Sequence, residues 1–428
     1  MRVSGPETTA IARHIIDVKR NVRPHVATLV TVKASDGGAI DRAIAIRSFA
    51  PHSYTGEDML ELQLHGSPLV VQEVLRSLVA AGARYAQAGE FTRRAFLAGK
   101  IDLQGVTGIA DLIAAQTRAA ARAALANVSG TLATRLRGLR AQLRHLLESL
   151  SGAIDFPDEV ETPLACDIIP ELRDAIAQLR ELLRDGQTGR LLRDGMSVAI
   201  VGPPNAGKSS LLNALLGEDR AIVSDIAGTT RDTIEESIAV DGVAVRLVDT
   251  AGIRAHSDRL EAAGIERTRR ALESADVALV VIDGSAPLEG AAQGVLAETA
   301  VRPRVVFVNK ADLGNVAAAQ LDGVVDVRGC VYDGQTIAAV REAIARAGWG
   351  GGAPDLARPY LGTAYELDAA AAAGRALTLA LETLDRGDPV DLIAGELRTA
   401  VAELGHMSAD EAADEVLTAV FDRFCIGK

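Results

Sequence analysis

Apolar and polar positions along the chain fall into three regimes. In residues 1–103 the runs are short. Val26–Val32 and Ala43–Phe49 are rich in β-branched and small apolar residues, and Met59–His65 alternates apolar with polar, the period of a strand with one buried face. Ser67–Ala81 changes to helical spacing. The pattern predicts a small α+β domain. Residues 104–193 read as nearly continuous helix. From Ala110 to Leu150, Leu, Ile and Ala recur every three or four positions with arginines on the other face. Ile154–Val160 interrupts the pattern, and helix resumes over Ile169–Leu192.

Residues 194–347 alternate strands with helices. Ser197–Val201, Val243–Asp249, Ala278–Asp283 and Arg304–Asn309 are apolar runs of strand length, the mark of a doubly wound α/β sheet. Trp349–Pro354 reads as a linker. Helical spacing returns over Tyr365–Leu384, Asp391–Leu404 and Ala409–Phe421, within residues 348–428. Neither helical flank closes a core alone. The expectation is therefore a multidomain α/β protein: an N-terminal α+β domain, a discontinuous α-helical domain, and an α/β domain inserted into it.

Composition narrows the classes. No apolar run approaches the roughly 18 residues a membrane helix needs, and Met1–Ile16 lacks the apolar core of a secretory signal. The expected location is cytoplasmic. A net charge of -12 argues against a general nucleic-acid coat but leaves room for a local basic patch. Cys166, Cys330 and Cys425 stand far apart with no metal-ligand spacing, which fits a reducing compartment. Aromatic residues make up 3%, too few for base-stacking platforms.

The chemistry concentrates in the α/β segment. Gly202-Pro203-Pro204-Asn205-Ala206-Gly207-Lys208-Ser209 fits the P-loop pattern between an expected strand and an expected helix, Ser210–Leu216. Its glycines let backbone N–H groups approach phosphate oxygens. Lys208 suits the β- and γ-phosphates and Ser209 suits Mg²⁺. Asp249-Thr250-Ala251-Gly252 ends a strand lying antiparallel to or beside the P-loop strand. Asp249 there reaches the Mg²⁺ shell, and the Gly252 N–H reaches the γ-phosphate. Thr230, in Gly228-Thr229-Thr230-Arg231-Asp232, is the natural second hydroxyl ligand of Mg²⁺. Asn309-Lys310-Ala311-Asp312 follows a later strand, where α/β sheets bind ligands. The Asp312 carboxylate can accept two hydrogen bonds from the guanine edge; adenine lacks that donor pair. The four motifs in this order predict a Ras-like P-loop domain that binds and hydrolyses GTP.

This order resembles the Era-like branch of the translation-factor-related GTPases. Further motifs lie outside the α/β segment: Tyr54-Thr55-Gly56-Glu57-Asp58, Gly89-Glu90-Phe91-Thr92-Arg93-Arg94-Ala95-Phe96-Leu97, Asp155-Phe156-Pro157 and the terminal Cys425-Ile426-Gly427-Lys428. With these, essentially the whole chain resembles the TrmE (MnmE) family of tRNA uridine-modification GTPases. That resemblance implies a homodimer and a heterotetramer with an FAD-dependent partner of the MnmG/GidA type. It implies conversion of the wobble uridine of certain tRNAs to carboxymethylaminomethyluridine at C5. The one-carbon unit would come from 5-formyl- or methylene-tetrahydrofolate.

By position, the resemblance assigns the guanine nucleotide to Asn205, Ala206, Gly207, Lys208, Ser209 and Ser210, to Ser224, Asp225, Ile226, Ala227, Gly228, Thr229 and Thr230, and to Asp249, Thr250, Ala251 and Gly252. The base side comprises Asn309, Lys310, Ala311 and Asp312, closed by Gly329, Cys330 and Val331 where relatives carry Ser-Ala-Lys or Ser-Ala-Arg. Mg²⁺ falls to Ser209 and Thr230, and K⁺ to Asn205, Ser224, Ile226 and Thr229. Glu261 matches the catalytic glutamate, the alternative being a solvated helix-surface acid. Ile253 stands where Ras-like enzymes keep the glutamine that orients water. Arg2, Glu61, Lys100 and Lys428 match the folate site. Cys425 is either a thiol activated by Arg423 and Lys428 or a small residue shaping the tail. Relatives carry a further strand and a glycine-rich turn ahead of the position of Met1. The rival functions are an Era-like switch in ribosome assembly and a folate-incompetent GTPase scaffold.

Overall fold

The computed structural model describes the chain except for residues 18–22, 157, 160–164, 219–235, 250–270, 318–319, 322, 352–354, 356–357, 408–419, 422–423 and 425–428. The chain divides into two compact units. One comprises Met1–Ala110, Asn127–Ile176 and Ala369–Lys428; the other comprises Asp111–Ala126 and Ala177–Asp368.

The first unit opens with a five-stranded antiparallel sheet of order β1-β5-β4-β3-β2. Its strands are β1 (Arg2–Ser4), β2 (Ile16–Asp17), β3 (Thr28–Lys33), β4 (Ala39–Ser48) and β5 (Met59–Gln63). Alternation decides which face is covered. Val30, Val32, Ala43, Ala45, Leu60 and Leu62 point inward, onto Ile11 and Ile15 of α1 (Thr8–Ile15) and Val74 and Leu78 of α2 (Pro68–Ala80). Each such Val, Ile or Leu contributes about 1.5–3 kcal/mol on burial. Strands β1 and β2 and helix α1 are too short to show a period in sequence. Helix α3 (Glu90–Leu97) follows, starting at Gly89 with φ 67°.

Where the sequence predicts one long helix over 110–150, the structure has three: α4 (Leu103–Ala114), α5 (Arg118–Val128) and α6 (Thr131–Asp155). The breaks have local causes. The Thr117 hydroxyl accepts the Ala120 N–H at 3.0 Å, starting a new helix. Gly130, at φ 74°, turns the chain through the left-handed region before α6. The buried seam of α6, formed by Leu132, Leu136, Leu139, Leu143, Leu146 and Leu150, packs against the helix Val390–His406. The Arg140 Nε also donates to the Val401 carbonyl at 3.2 Å.

The second unit centres on a six-stranded sheet of order β11-β10-β9-β6-β8-β7. It follows α7 (Ala165–Asp194) and uses β6 (Met196–Val201), β7 (Glu236–Val240), β8 (Val243–Asp249), β9 (Val277–Asp283), β10 (Arg304–Asn309) and β11 (Val327–Arg328). Every residue of β6 is buried, because both faces of a parallel sheet are covered. Strand β8 runs parallel to β6, with Asp249 opposite Ile200. The antiparallel neighbour of β8 is the edge strand β7, which the sequence pattern does not reveal. Among the described residues no helix is long and apolar enough to cross a membrane.

Candidate functional site

The loop after β6 leads straight into α8 (Lys208–Glu218). A helix beginning there presents unpaired backbone N–H groups and the positive end of its dipole, an anion site in itself. Two glycines make the loop possible. Gly202, at φ 152°, lies against β9, and a Cβ there would overlap the Val281 carbonyl oxygen. Gly207, at φ 100°, lies under Asn309, and a Cβ there would overlap its Nδ2. Asn205 is exposed and also lies in the left-handed region, at φ 61°. The Lys208 ammonium is largely buried and donates to the Gly202 carbonyl at 3.0 Å and the Pro203 carbonyl at 2.7 Å. It thus sits over the loop that a triphosphate would occupy. Ser209 is exposed on the first turn of α8, with Ser210 half-buried beside it.

Asn309, only 1% exposed, ties three loops together. Its Nδ2 donates to the Ala206 carbonyl at 2.9 Å, and its Oδ1 accepts the Val331 N–H at 3.2 Å. The Ala311 N–H donates to the Gly329 carbonyl at 3.1 Å. The P-loop, Asn309–Asp312 and Gly329–Val331 are thereby brought to one end of the sheet, with Asp312 exposed and Cys330 half-buried among them. Lys310 takes φ 60°, and its ammonium meets Asp283 at 2.6 Å. Sequence reasoning missed Asp283. Its only signal there is an acid at the end of an apolar strand. Partial burial pushes the Asp283 carboxyl up, but Lys310 and the N–H and hydroxyl of Ser285 outweigh that and hold it below its ordinary value.

Asp249 ends β8 beside the P-loop strand. Its side chain, and Ser224, Asp225, Ile226, Ala227, Gly228, Thr229, Thr230, Thr250, Ala251, Gly252 and Glu261, lie outside the described residues, as do Cys425 and Lys428.

In the first unit, Arg2 and Glu61 stand opposite each other in the β1–β5 register, with Arg2 Nε 2.5 Å from Glu61 Oε1. The Arg2 guanidinium also lies 5.5 Å from the centre of the Tyr54 ring. Lys100 runs past Gly56, so three of the four expected folate residues gather around the loop 54–58. An unforeseen network reaches the same loop through Glu57. The Ser4 hydroxyl donates to Glu57 at 2.8 Å, and Arg94 donates to Glu57 and to Glu90, each at 2.7 Å. Arg84 pairs with Glu90 at 2.5 Å and, with Arg94 assisting, holds its carboxyl at about 2.

Two family descriptions match the chain: the N-terminus of GTP-binding protein TrmE over residues 1–100 and the MnmE helical domain over residues 103–425. The chain is similar to the tRNA modification GTPase MnmE of Azoarcus sp. (strain BH72), at 43% identity over 100% of this chain and 94% of that protein. It is similar to that of Akkermansia muciniphila at 40% identity, over 100% of this chain and 95% of that protein. Among solved structures it is similar to the FeoB G-domain from Methanococcus jannaschii at 24% identity, over 36% of this chain and 96% of that one, with a TM-score of 0.27.

Proposed function

The chain belongs to the MnmE family of tRNA modification GTPases, and from that premise we propose that its GTP hydrolysis drives modification of the wobble uridine at C5. The observation that carries the nucleotide part is the Asn309 clasp, which joins the phosphate loop to the base-binding loops in one rigid unit.

Each residue has work that its position suits. Backbone N–H groups of Asn205–Ser210 hold the phosphates, and Lys208 neutralises charge on the β- and γ-oxygens. Asp312 selects guanine, with Cys330 offering its backbone N–H to the guanine carbonyl. Ser209 with Thr230 would hold Mg²⁺, which when bound offsets negative charge between the terminal phosphates. The exposed Ser209 hydroxyl on the first turn of α8 fits that use. Asn205, with Ser224, Ile226 and Thr229, would hold K⁺ when two such domains meet. A monovalent cation held there would supply the transition-state charge neutralisation that an arginine finger otherwise gives. Glu261 positions the attacking water through a second water, taking over from the glutamine replaced by Ile253.

Arg2, Glu61, Lys100 and Lys428 would bind 5-formyl-tetrahydrofolate, whose one-carbon unit would supply the methylene carbon attached to C5. The placement of Arg2 and Lys100 at the loop 54–58, with Glu61 bonded to Arg2, supports this by bringing these charged groups into one region. The protein acts as a homodimer with an FAD-dependent partner in a heterotetramer.

Mass spectrometry of wobble uridines from cells with and without this gene tests the reading. Loss of the aminomethyl-type modification is expected. An unchanged nucleoside profile together with a ribosome-assembly defect would favour an Era-like switch.

A further inference from the structure

Between Asp111 and Glu148 the sequence contains no acidic residue, yet it carries Arg118, Arg122, Arg135, Arg137, Arg140 and Arg144. The whole protein has a net charge of -12, so this stretch runs against its background. Three of those arginines stand at positions i, i+3 and i+7 of α6. At about 100° and 1.5 Å per residue, that spacing sets them in one stripe about 10 Å long. The stripe borders the leucine seam that packs on the helix Val390–His406, with Arg140 at the edge and Arg137 and Arg144 turned outward. Arg137, Arg140, Arg144 and His145, with Ala141 and Glu148, line a shallow depression of about 190 Å³. Arg137, Arg144 and His145 are exposed, while Arg140 is half-buried by its bond to the Val401 carbonyl.

We propose that this arginine stripe is a docking surface for the phosphate backbone of the tRNA substrate. The inference rests on the tRNA reading of the family. The chemistry favours a polyphosphate. A guanidinium fork matches phosphate oxygens bidentately, and a line of them along one helix matches a line of phosphates. The stripe contains no aromatic or large aliphatic anchor, which a protein partner's hot spot would need. RNA bound there is held by charge and carries no sequence information at this contact. The stripe therefore supplies affinity and register, while recognition of the uridine happens elsewhere.

The test uses the full chain and an unmodified tRNA transcript, with binding followed by fluorescence anisotropy across a salt series. The variants are Arg137→Gln/Arg144→Gln and Arg137→Lys/Arg144→Lys; Arg140 is left in place because it also bonds Val401. The glutamine pair is expected to weaken binding about tenfold and to flatten the salt dependence by about 1.4–1.8 in log–log slope, two phosphate contacts' worth. The lysine pair should keep the wild-type slope. GTP hydrolysis without tRNA should be unchanged in both, which verifies the fold. Unchanged affinity and slope in the glutamine pair, with the wild type binding tRNA, overturns the docking surface and leaves the substrate reading standing. Loss of protein-partner binding with tRNA binding intact overturns it in favour of a protein contact. Failure of the wild type to bind tRNA at all overturns both readings.

Discussion

The Asn309 side chain lies over Gly207, with its amide nitrogen 2.9 Å from the carbonyl oxygen of Ala206. Its own oxygen takes the Val331 N–H. One side chain thus joins a loop from near residue 205 to a loop from near residue 330. Rigidity at the base therefore depends on what stands at position 207.

Gly207→Ala tests this directly. The added Cβ would overlap the Asn309 amide at a backbone angle that L residues avoid. Asn309 must withdraw, leaving the Ala206 carbonyl and the Val331 N–H without their partner at about 1–3 kcal/mol each. The expected outcome is at least about a tenfold loss of affinity for a fluorescent guanine nucleotide, with secondary structure retained by circular dichroism.

Asp312→Asn should exchange specificity. The carboxylate accepts two donors from guanine, whereas an amide presents one donor and one acceptor. The variant is expected to lose about a hundredfold in GTP affinity and to gain affinity for xanthosine triphosphate, whose carbonyl replaces the guanine amino group. Competition binding with both nucleotides reads the switch, and a parallel loss for both would mean that Asp312 does not face the base.

Potassium dependence separates the proposed hydrolytic mechanism from a Ras-like one. Ile253 cannot orient water. The rate is therefore expected to rise clearly in K⁺ over Na⁺ at matched ionic strength. Glu261→Ala should bind nucleotide normally and lose about a hundredfold or more in turnover. Equal rates in the two salts, or unchanged single-turnover rates in the variant, would remove the cation and the glutamate from the mechanism.

Acid stability should report the Arg84–Glu90 pair. Glu90 titrates at about 2 in the folded chain against an ordinary 4.5, chiefly through its bond to Arg84. A depressed carboxyl contributes stability that is present above about pH 4.5 and is lost as pH falls toward 2. Arg84→Ala should lower the melting temperature near neutral pH and shrink the further fall between those limits. A melting profile parallel to wild type across that range would show that the pair contributes nothing.

What the residues determine by themselves is local. Gly202–Ser209 reads as a phosphate loop because the glycines, the lysine and the flanking apolar run are consecutive in the chain. Asn309–Asp312 is legible for the same reason, and strands β8 and β10 begin and end where their apolar runs do. Helix breaks were not legible over 110–150, because alanine and leucine favour helix on both sides of Thr117 and Gly130 and two residues decide where it stops. Tertiary structure alone decided that Val331 meets Asn309, that Arg2 faces Glu61 across two strands, and that Arg94 links Glu57 to Glu90. It also decided that α6 packs on a helix more than two hundred residues later. Local propensity acts over a few residues. These pairings are set instead by which apolar faces must be buried together, a condition that only the assembled fold satisfies.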